Sequence, residues 1–228
     1  MATRYFTPEL FAFLKDLKEN NNREWFKANQ ERYEDNVRQP ALDFITDFGA
    51  TLDTLSPHFL ADSRTVGGSL FRIQRDTRFA KDKTPYKLNT GVHFRHEQAK
   101  DAHAPGFYIH LEPGRCFIGA GLWRPETKVA YQIREYIDAE QGAWKTATGA
   151  KGFAGVFELG GDALKRPPKG FDPEHPLLED LKRKDFIATQ NLTQGQVTRT
   201  DFPSFFEQQC RAAEPFMKFL CASVGVPY

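Results

Sequence analysis

Apolar residues recur every three or four positions through the first quarter of the chain, which is the spacing of one face of an α-helix. Thr7-Pro8 precedes the first of these runs, and a threonine followed by proline is typical of a helix N-terminus. Two further runs, 23–37 and the segment beginning at Pro40, have the same spacing. The pattern therefore predicts three helices in the N-terminal third.

Apolar and polar residues alternate one by one through the middle of the chain, which is the period of a strand with one buried face. The alternating run 107–112 ends at the turn signal Pro113-Gly114, and 116–123 is predicted to return as another strand, so the two segments are predicted to form a β-hairpin. Because residues two apart share a strand face, His110 and Glu112 are expected on the same side. The predicted strands are 71–74, 88–94, 107–112, 116–123 and 185–190.

The helical period returns after the middle of the chain. Helices are predicted after Arg124-Pro125-Glu126-Thr127, from His175 over a short stretch, and over 203–224, and a short strand is predicted within 153–159. This order of elements predicts an α+β fold and one domain over residues 1–228. We expect a largely antiparallel or mixed central sheet, with helices from the N-terminal third, the middle and the C-terminus packed on it.

The composition supports a folded protein without a general charge preference. Of 228 residues, 40% are apolar and 21 are phenylalanine, which is enough for a large core and excludes a disordered chain. A net charge of +1 gives no overall attraction to polyanions. Three cysteines without a CxxC pair favour a reducing compartment. With no apolar run of signal-peptide or membrane-span length, a cytoplasmic location without membrane contact is predicted.

One segment departs from this balance. Residues 72–87, called the basic loop here, carry six cations against two acids, a local excess of +4. Arginine can hold a carboxylate or phosphate with two hydrogen bonds, and a neighbouring aromatic ring can stack on a base or ring. The candidate ligand-binding residues are Arg72, Arg75, Arg78, Lys81, Lys83, Tyr86, Lys87 and Trp123.

The basic loop also fits a solvated scaffold in which its cations pair with Asp76, Asp82 and acids elsewhere. Six nearby cations should hold the pKa values of both carboxyls low, which favours ionised structural partners over proton donors. A role for Asp76 in acid–base chemistry is the alternative.

The candidate catalytic residues are Asp76, His110 and Glu112. His110 and Glu112 could form an acid–base pair or hold a metal, although a solvent-facing pair without function is the other interpretation. No zinc spacing, nucleophile elbow or phosphate-binding glycine loop is present in the sequence. The sequence therefore predicts no metal site and identifies no cofactor.

Several motifs together resemble one known family. They are Phe13–Leu17, Asn21–Phe26, Arg75–Lys87, Gly119–Pro125, Leu164–Phe171 and Leu181–Phe186. Over nearly its whole length the chain resembles the bacterial and fungal family catalogued as domain of unknown function 2461, and the basic loop is the most specific part of the match. The resemblance implies a single compact domain and gives weight to the basic loop, but it implies no particular reaction, substrate or cofactor.

Two functions of different kinds are predicted from these residues. The first is binding of a phosphate-bearing small molecule or other anionic ligand, or of nucleic acid, through the basic loop. The second is an enzyme that acts on a small anionic metabolite, with Asp76 or His110 as the acid or base. Convergence of Arg72, Arg75, Arg78 and Lys81 on one aromatic-edged pocket would favour ligand binding there.

Overall fold

Short helices build the N-terminal third. The computed structural model describes residues 3–98 and 104–228. Asn22 caps α2 by accepting a hydrogen bond from the Trp25 backbone N–H at 2.9 Å. The elements are α1 (Pro8–Glu19), α2 (Arg23–Ala28), α3 (Gln30–Tyr33), a π-helical turn (Glu34–Arg38) and α4 (Gln39–Leu55).

A five-stranded antiparallel sheet follows. Its strands lie in the order β1-β2-β3-β5-β4, so that the predicted hairpin, β2–β3, forms its centre. The strands are β1 (Thr90–Arg95), β2 (Gly106–Leu111), β3 (Cys116–Leu122), β4 (Glu158–Gly160) and β5 (Phe186–Leu192). The α+β class and the antiparallel central sheet predicted from the sequence are therefore confirmed.

The remaining helices lie between and after the strands. They are α5 (Thr127–Ala139), α6 (Gln141–Gly149), α7 (Lys151–Ala154), α8 (Leu178–Leu181), α9 (Gln194–Val197) and α10 (Phe202–Ser223). Thr193 and Gln196 form a capping box at the start of α9. Across the described ranges, no helix combines the length and the apolar character needed to cross a bilayer.

Helices α4 and α10 meet one face of the sheet in a cluster of aromatic rings. Phe48 of α4 lies 5.4 Å from Phe94 of β1 and 5.0 Å from Phe206 of α10, measured between ring centroids. Phe206 in turn lies 5.8 Å from Phe94. Burial of large rings is the main stabilising term in such a core, and it fixes which face of the sheet is covered.

Three predicted elements differ from the structure. Segment 71–74 is not a strand, because only isolated bridges form there, that of Leu70 with Val92 just before the segment and that of Gln74 with Tyr86 at its end. The helix predicted over 23–37 is interrupted after α2, where the Asn29 side chain donates a hydrogen bond to the Trp25 carbonyl. The first part of 153–159 is helical, and β4 begins only at Glu158. Most of the polar insertion 97–105 lies outside the described residues.

A buried histidine that directly follows β1, His96, contacts the C-terminal segment. This contact predicts that the folded protein is less stable at acidic pH. Nε2 of His96 lies 2.9 Å from the carbonyl oxygen of Pro227. Burial lowers the pKa of His96 below the ordinary value for histidine. The folded protein then binds fewer protons here than the unfolded chain, so stability falls as pH drops below the unfolded value of about 6.5. In urea unfolding, we expect the loss between pH 7 and pH 5 to shrink in His96→Gln, and an unchanged loss would contradict this.

Candidate functional site

Alternate residues on the face of the sheet that does not meet α10 line a pocket of about 680 Å³. Tyr108 of β2, Phe117 of β3 and Thr189 of β5 point into it, whereas Ile109 and Ile118 on the opposite face are completely buried. This is the arrangement expected when an antiparallel sheet covers a core with one face only. The alternation visible in the sequence therefore decides which side chains reach the pocket.

Glycines make the floor of the pocket. A Cβ on Gly91 would lie 2.5 Å from the Tyr108 hydroxyl, and a Cβ on Gly106 would lie 2.2 Å from Nε2 of His93. Both large side chains therefore rest directly against glycine backbone. Gly121, at φ +122°, has no room for a Cβ beside the Phe186 carbonyl. The glycines thus allow large polar side chains to lie along the sheet and leave a concavity above them.

Two cations face this pocket. The Lys87 ammonium lies 5.5 Å from the centroid of the Phe71 ring, and the Arg115 guanidinium carbon lies 5.6 Å from that of Phe117. Burial, and then the nearby charge of Arg72, lowers the pKa of Lys87. Among the described residues that line the pocket there is no aspartate or glutamate. The two cations therefore have no carboxylate beside them in the described lining, and the Glu112 carboxylate lies just behind it, 3.0 Å from Nε2 of His110.

A chain of hydrogen-bonding side chains runs along one wall. The Tyr108 hydroxyl lies 3.1 Å from Nδ1 of His110, and Nε2 of His110 lies 3.0 Å from a carboxylate oxygen of Glu112. The Asn89 amide nitrogen lies 3.5 Å from the same Nδ1. The His110 ring stacks on Phe117 with centroids 4.6 Å apart. His110 and Glu112 thus share one strand face, as the sequence predicts.

The arginines of the basic loop are paired inside the loop itself. Arg78 donates to Asp76, and Arg75 donates to Asp82. The Arg78 hydrogen bond lowers the pKa of Asp76 to about 2. The Thr84 backbone N–H and then Arg75 lower the pKa of Asp82 to about 2. Both acids are therefore ionised partners at neutral pH, which is the scaffold arrangement considered for this loop.

The other predicted ligand-binding residues are dispersed. Arg72 and Lys81 are exposed, and Lys83 donates to the Thr77 carbonyl at 2.9 Å. Tyr86 is buried and stacks on Phe26 with centroids 4.1 Å apart. Only Lys87 and Trp123, from that set, line the sheet pocket.

A second pocket, of about 480 Å³, lies between the basic loop and the start of α2. It contains Arg23 and Lys83, but Glu24 lies beside them in the same lining. The Asn21 amide there is already engaged, donating to the Tyr86 carbonyl at 3.0 Å. The sheet pocket is larger, and the part of its lining that the structure describes has cations without carboxylates, so it is the better candidate site.

The sheet pocket also contains residues that the sequence did not single out. Asn89, Tyr108, Arg115 and Phe117 were not among the predicted site residues. The strand alternation that predicted the shared face of His110 and Glu112 also places Tyr108 there, because Tyr108 is two residues before His110. Arg115 gives no such signal, since it follows the turn and reaches the pocket through its contact with Phe117.

A buried carboxylate accepts hydrogen bonds from two backbone segments at the end of the pocket where Trp123 and Gly161 lie. Asp185, only 3% exposed, accepts the backbone N–H of Arg124 at 2.8 Å and that of Asp162 at 2.7 Å. Arg124 has a positive φ of 48°, which is uncommon for a residue with a side chain. Through these two bonds Asp185 positions the segments that carry Trp123 and Gly161.

The fold and this site define an α+β protein with a pocket on the open face of an antiparallel sheet, lined by two cations, aromatic rings and glycines. The chain belongs to the family described as a conserved hypothetical protein (DUF2461), whose model matches residues 9–219. A comparison with curated proteins gave no match. Within the described ranges, no group of three or more histidine, cysteine, aspartate or glutamate side chains has the arrangement of a metal site.

Proposed function

We propose that this protein binds a small anionic ligand, of the phosphate or carboxylate type, in the sheet pocket. The observation that carries the proposal is the pairing of Lys87 and Arg115 with an aromatic and glycine lining that has no carboxylate among its described residues. Pockets of this size accommodate small molecules, and a few convergent polar groups fix their orientation. The basic loop contributes through its last residue, Lys87, and through the field of its exposed cations.

The state of Lys87 supports this proposal. Its ammonium is half-buried against Phe71, and burial makes its charged form less favourable, as the lowered pKa indicates. An anion placed beside it would reverse that penalty, because an opposite charge favours the charged form. A partly buried cation with no carboxylate beside it in the described pocket lining is a ready partner for an anionic group of a ligand.

The arginines within the basic loop are less suited to direct contact. Arg75 already donates to Asp82 through Nη1, and Arg78 donates to Asp76 through Nε and Nη2. Those carboxylates, seven and two residues away along the chain, already offset part of the charge that the two arginines would offer a ligand. Arg72 and Lys81, which are exposed, can instead raise the local concentration of an anion by long-range attraction.

Binding of phenyl phosphate tests the proposal, since it combines a phosphate with a flat ring. One charge-assisted hydrogen bond contributes about 1.5–3 kcal/mol to binding. Lys87→Met and Arg115→Met should therefore each raise the Kd by about 10- to 100-fold. Isothermal titration calorimetry measures this directly. Lys145→Met is the matched control, because it removes an exposed lysine of α6 that is outside the described pocket lining. Its Kd should stay close to that of the wild type.

Two results would contradict the proposal. One is the absence of binding at millimolar phenyl phosphate, and the other is an equal loss of affinity in all three variants. A nucleic-acid ligand gives a distinct result, namely tight binding of an oligonucleotide whose log Kd changes steeply with log salt concentration. That slope should fall in Arg72→Met and Lys81→Met if the exposed cations contact phosphates.

A further inference from the structure

We propose that the sheet pocket hydrolyses aryl phosphate esters, with Tyr108 as the nucleophile, His110 as the base that takes its proton, and Glu112 as the positioning residue for His110. The inference rests on the anion binding proposed for the same pocket, and it adds a reaction and a substrate class. It depends on the juxtaposition of a hydroxyl, an imidazole and a carboxylate at the end of the pocket that carries the two cations.

The hydrogen bonds fix the direction of the chain. Glu112 accepts from Nε2 of His110, so the ring proton of neutral His110 lies on Nε2 and Nδ1 is left as an acceptor. The Tyr108 hydroxyl, 3.1 Å away, then donates to Nδ1. A nucleophile within hydrogen-bond reach of a base, which a third group orients, is the general signature of covalent catalysis.

Both cations lie one aromatic ring away from these residues. Lys87 contacts Phe71, whose ring centroid is 5.8 Å from that of Tyr108. Arg115 contacts Phe117, which stacks on His110. A phosphoryl group held between the cations therefore lies at the same end of the pocket as the Tyr108 hydroxyl, where the positive charges stabilise the negative charge of the transition state.

The free protein holds both reacting groups neutral. Burial raises the pKa of Tyr108, and burial lowers the pKa of His110 despite the opposing hydrogen bond to Glu112. The groups that face His110 are Tyr108, Asn89 and Glu112 by hydrogen bonding, Phe117 by stacking, and Arg115 through its charge. A bound phosphate dianion raises the pKa of His110, because it favours the imidazolium, and so makes proton transfer from Tyr108 easier.

The shape of the pocket indicates the alcohol part of the substrate. Phe117, near the start of β3, and Trp123, which directly follows the last residue of β3, are six residues apart, or ~20 Å at the rise of a strand. Between them the floor is made of glycine, including Gly119 and Gly121. A flat aromatic group can lie on such a floor while its phosphate remains at the cationic end. This arrangement favours an aryl ester over a compact or highly polar one.

The chemistry balances with water as the only co-reactant. In the first half, the Tyr108 Oη–P bond forms, the P–O(aryl) bond breaks, and the electron pair leaves with the aryl oxygen. The Tyr108 proton passes to Nδ1 of His110 and from there to the aryloxide. In the second half, water adds to phosphorus, the Oη–P bond breaks, and the proton that His110 removes from water is returned to Tyr108. The products are a phenol and inorganic phosphate.

The test is whether the protein hydrolyses p-nitrophenyl phosphate. The absorbance of the released p-nitrophenolate measures the rate. Tyr108→Phe, which retains the ring over Gly91, should reduce turnover to the uncatalysed background. His110→Gln should lower kcat by about 10²–10⁴-fold. Glu112→Gln keeps an acceptor for Nε2–H and should lower kcat with little change in KM. In the wild type, activity should fall as pH drops through the pKa of His110, and mass spectrometry should detect a phosphoryl group on Tyr108 in acid-quenched protein.

Controls and separate binding measurements make the result interpretable. Tyr131→Phe alters a partly exposed tyrosine outside the pocket, and His58→Gln alters a second histidine–glutamate pair, with Glu97, so both should keep wild-type turnover. Phenyl phosphate binding without turnover of p-nitrophenyl phosphate would overturn the hydrolase inference and leave the binding proposal standing. Full turnover in Tyr108→Phe would overturn the role of the nucleophile. Failure of binding itself would remove both proposals.

Discussion

Replacing Gly121 with alanine is expected to destabilise the protein by roughly 3–5 kcal/mol, the sum of backbone strain and steric overlap at one residue. Gly121 has a φ of +122°, which L side chains rarely adopt. A Cβ there would lie 2.1 Å from the Phe186 carbonyl, on the neighbouring strand β5. Because backbone cannot swing aside as a flexible side chain does, the β3–β5 pairing has to shift. Urea unfolding followed by circular dichroism measures the effect.

Gly114→Ala is the matched control for this prediction. Gly114 also has a positive φ, of 82°, but a Cβ there would meet nothing within 4 Å. An alanine at this position therefore has the conformational penalty without the steric overlap. The expected loss in the free energy of unfolding is about 1–2 kcal/mol. If the two variants lose the same stability, close approach of β5 to Gly121 is not what requires a glycine at that position.

The fold could be predicted to the extent that periodicity is a local property. The hairpin β2–β3 followed from the alternation of 107–112 and the turn signal Pro113-Gly114 that ends it. Segment 71–74 alternates in the same way, yet it forms only isolated bridges. Alternation shows that one side of a segment is buried, as Ile73 is, but it does not show whether a partner strand runs alongside for several residues.

The site was harder to predict, because charge counts do not show which charges are already paired. The excess of +4 in the basic loop suggested a converging set of arginines, but Arg75 and Arg78 pair with Asp82 and Asp76 within the same loop. Lys87, the last residue of the loop, differs because its side chain lines the sheet pocket. Whether a cation has a carboxylate neighbour is a tertiary property, so the sequence could not distinguish Lys87, which lines the sheet pocket, from the paired arginines of the same segment.

Asp185→Ala is the second substitution with a large expected effect. It would remove the acceptor of two backbone N–H groups, those of Arg124 and Asp162, in a buried position. A hydrogen bond to a charged group contributes about 1.5–3 kcal/mol, so a loss of roughly 2–5 kcal/mol in the free energy of unfolding is expected for the two bonds. Arg124 would also lose the contact that helps to hold its positive φ. Asp185→Asn should lose less, because its remaining oxygen can still accept one of the two bonds.

The control for Asp185 is Asp172→Ala. Asp172 also accepts a backbone N–H, that of Glu174 at 2.9 Å, but it does so on the surface, where water can replace it. The expected loss in the free energy of unfolding is therefore about 0.5–1 kcal/mol for Asp172→Ala, which is within the usual net contribution of one hydrogen bond. Since Asp185 positions the segments that carry Trp123 and Gly161, its loss should also weaken phenyl phosphate binding at temperatures where the variant is still folded. A variant that loses stability but binds as the wild type does would show that the far end of the pocket takes no part in ligand binding.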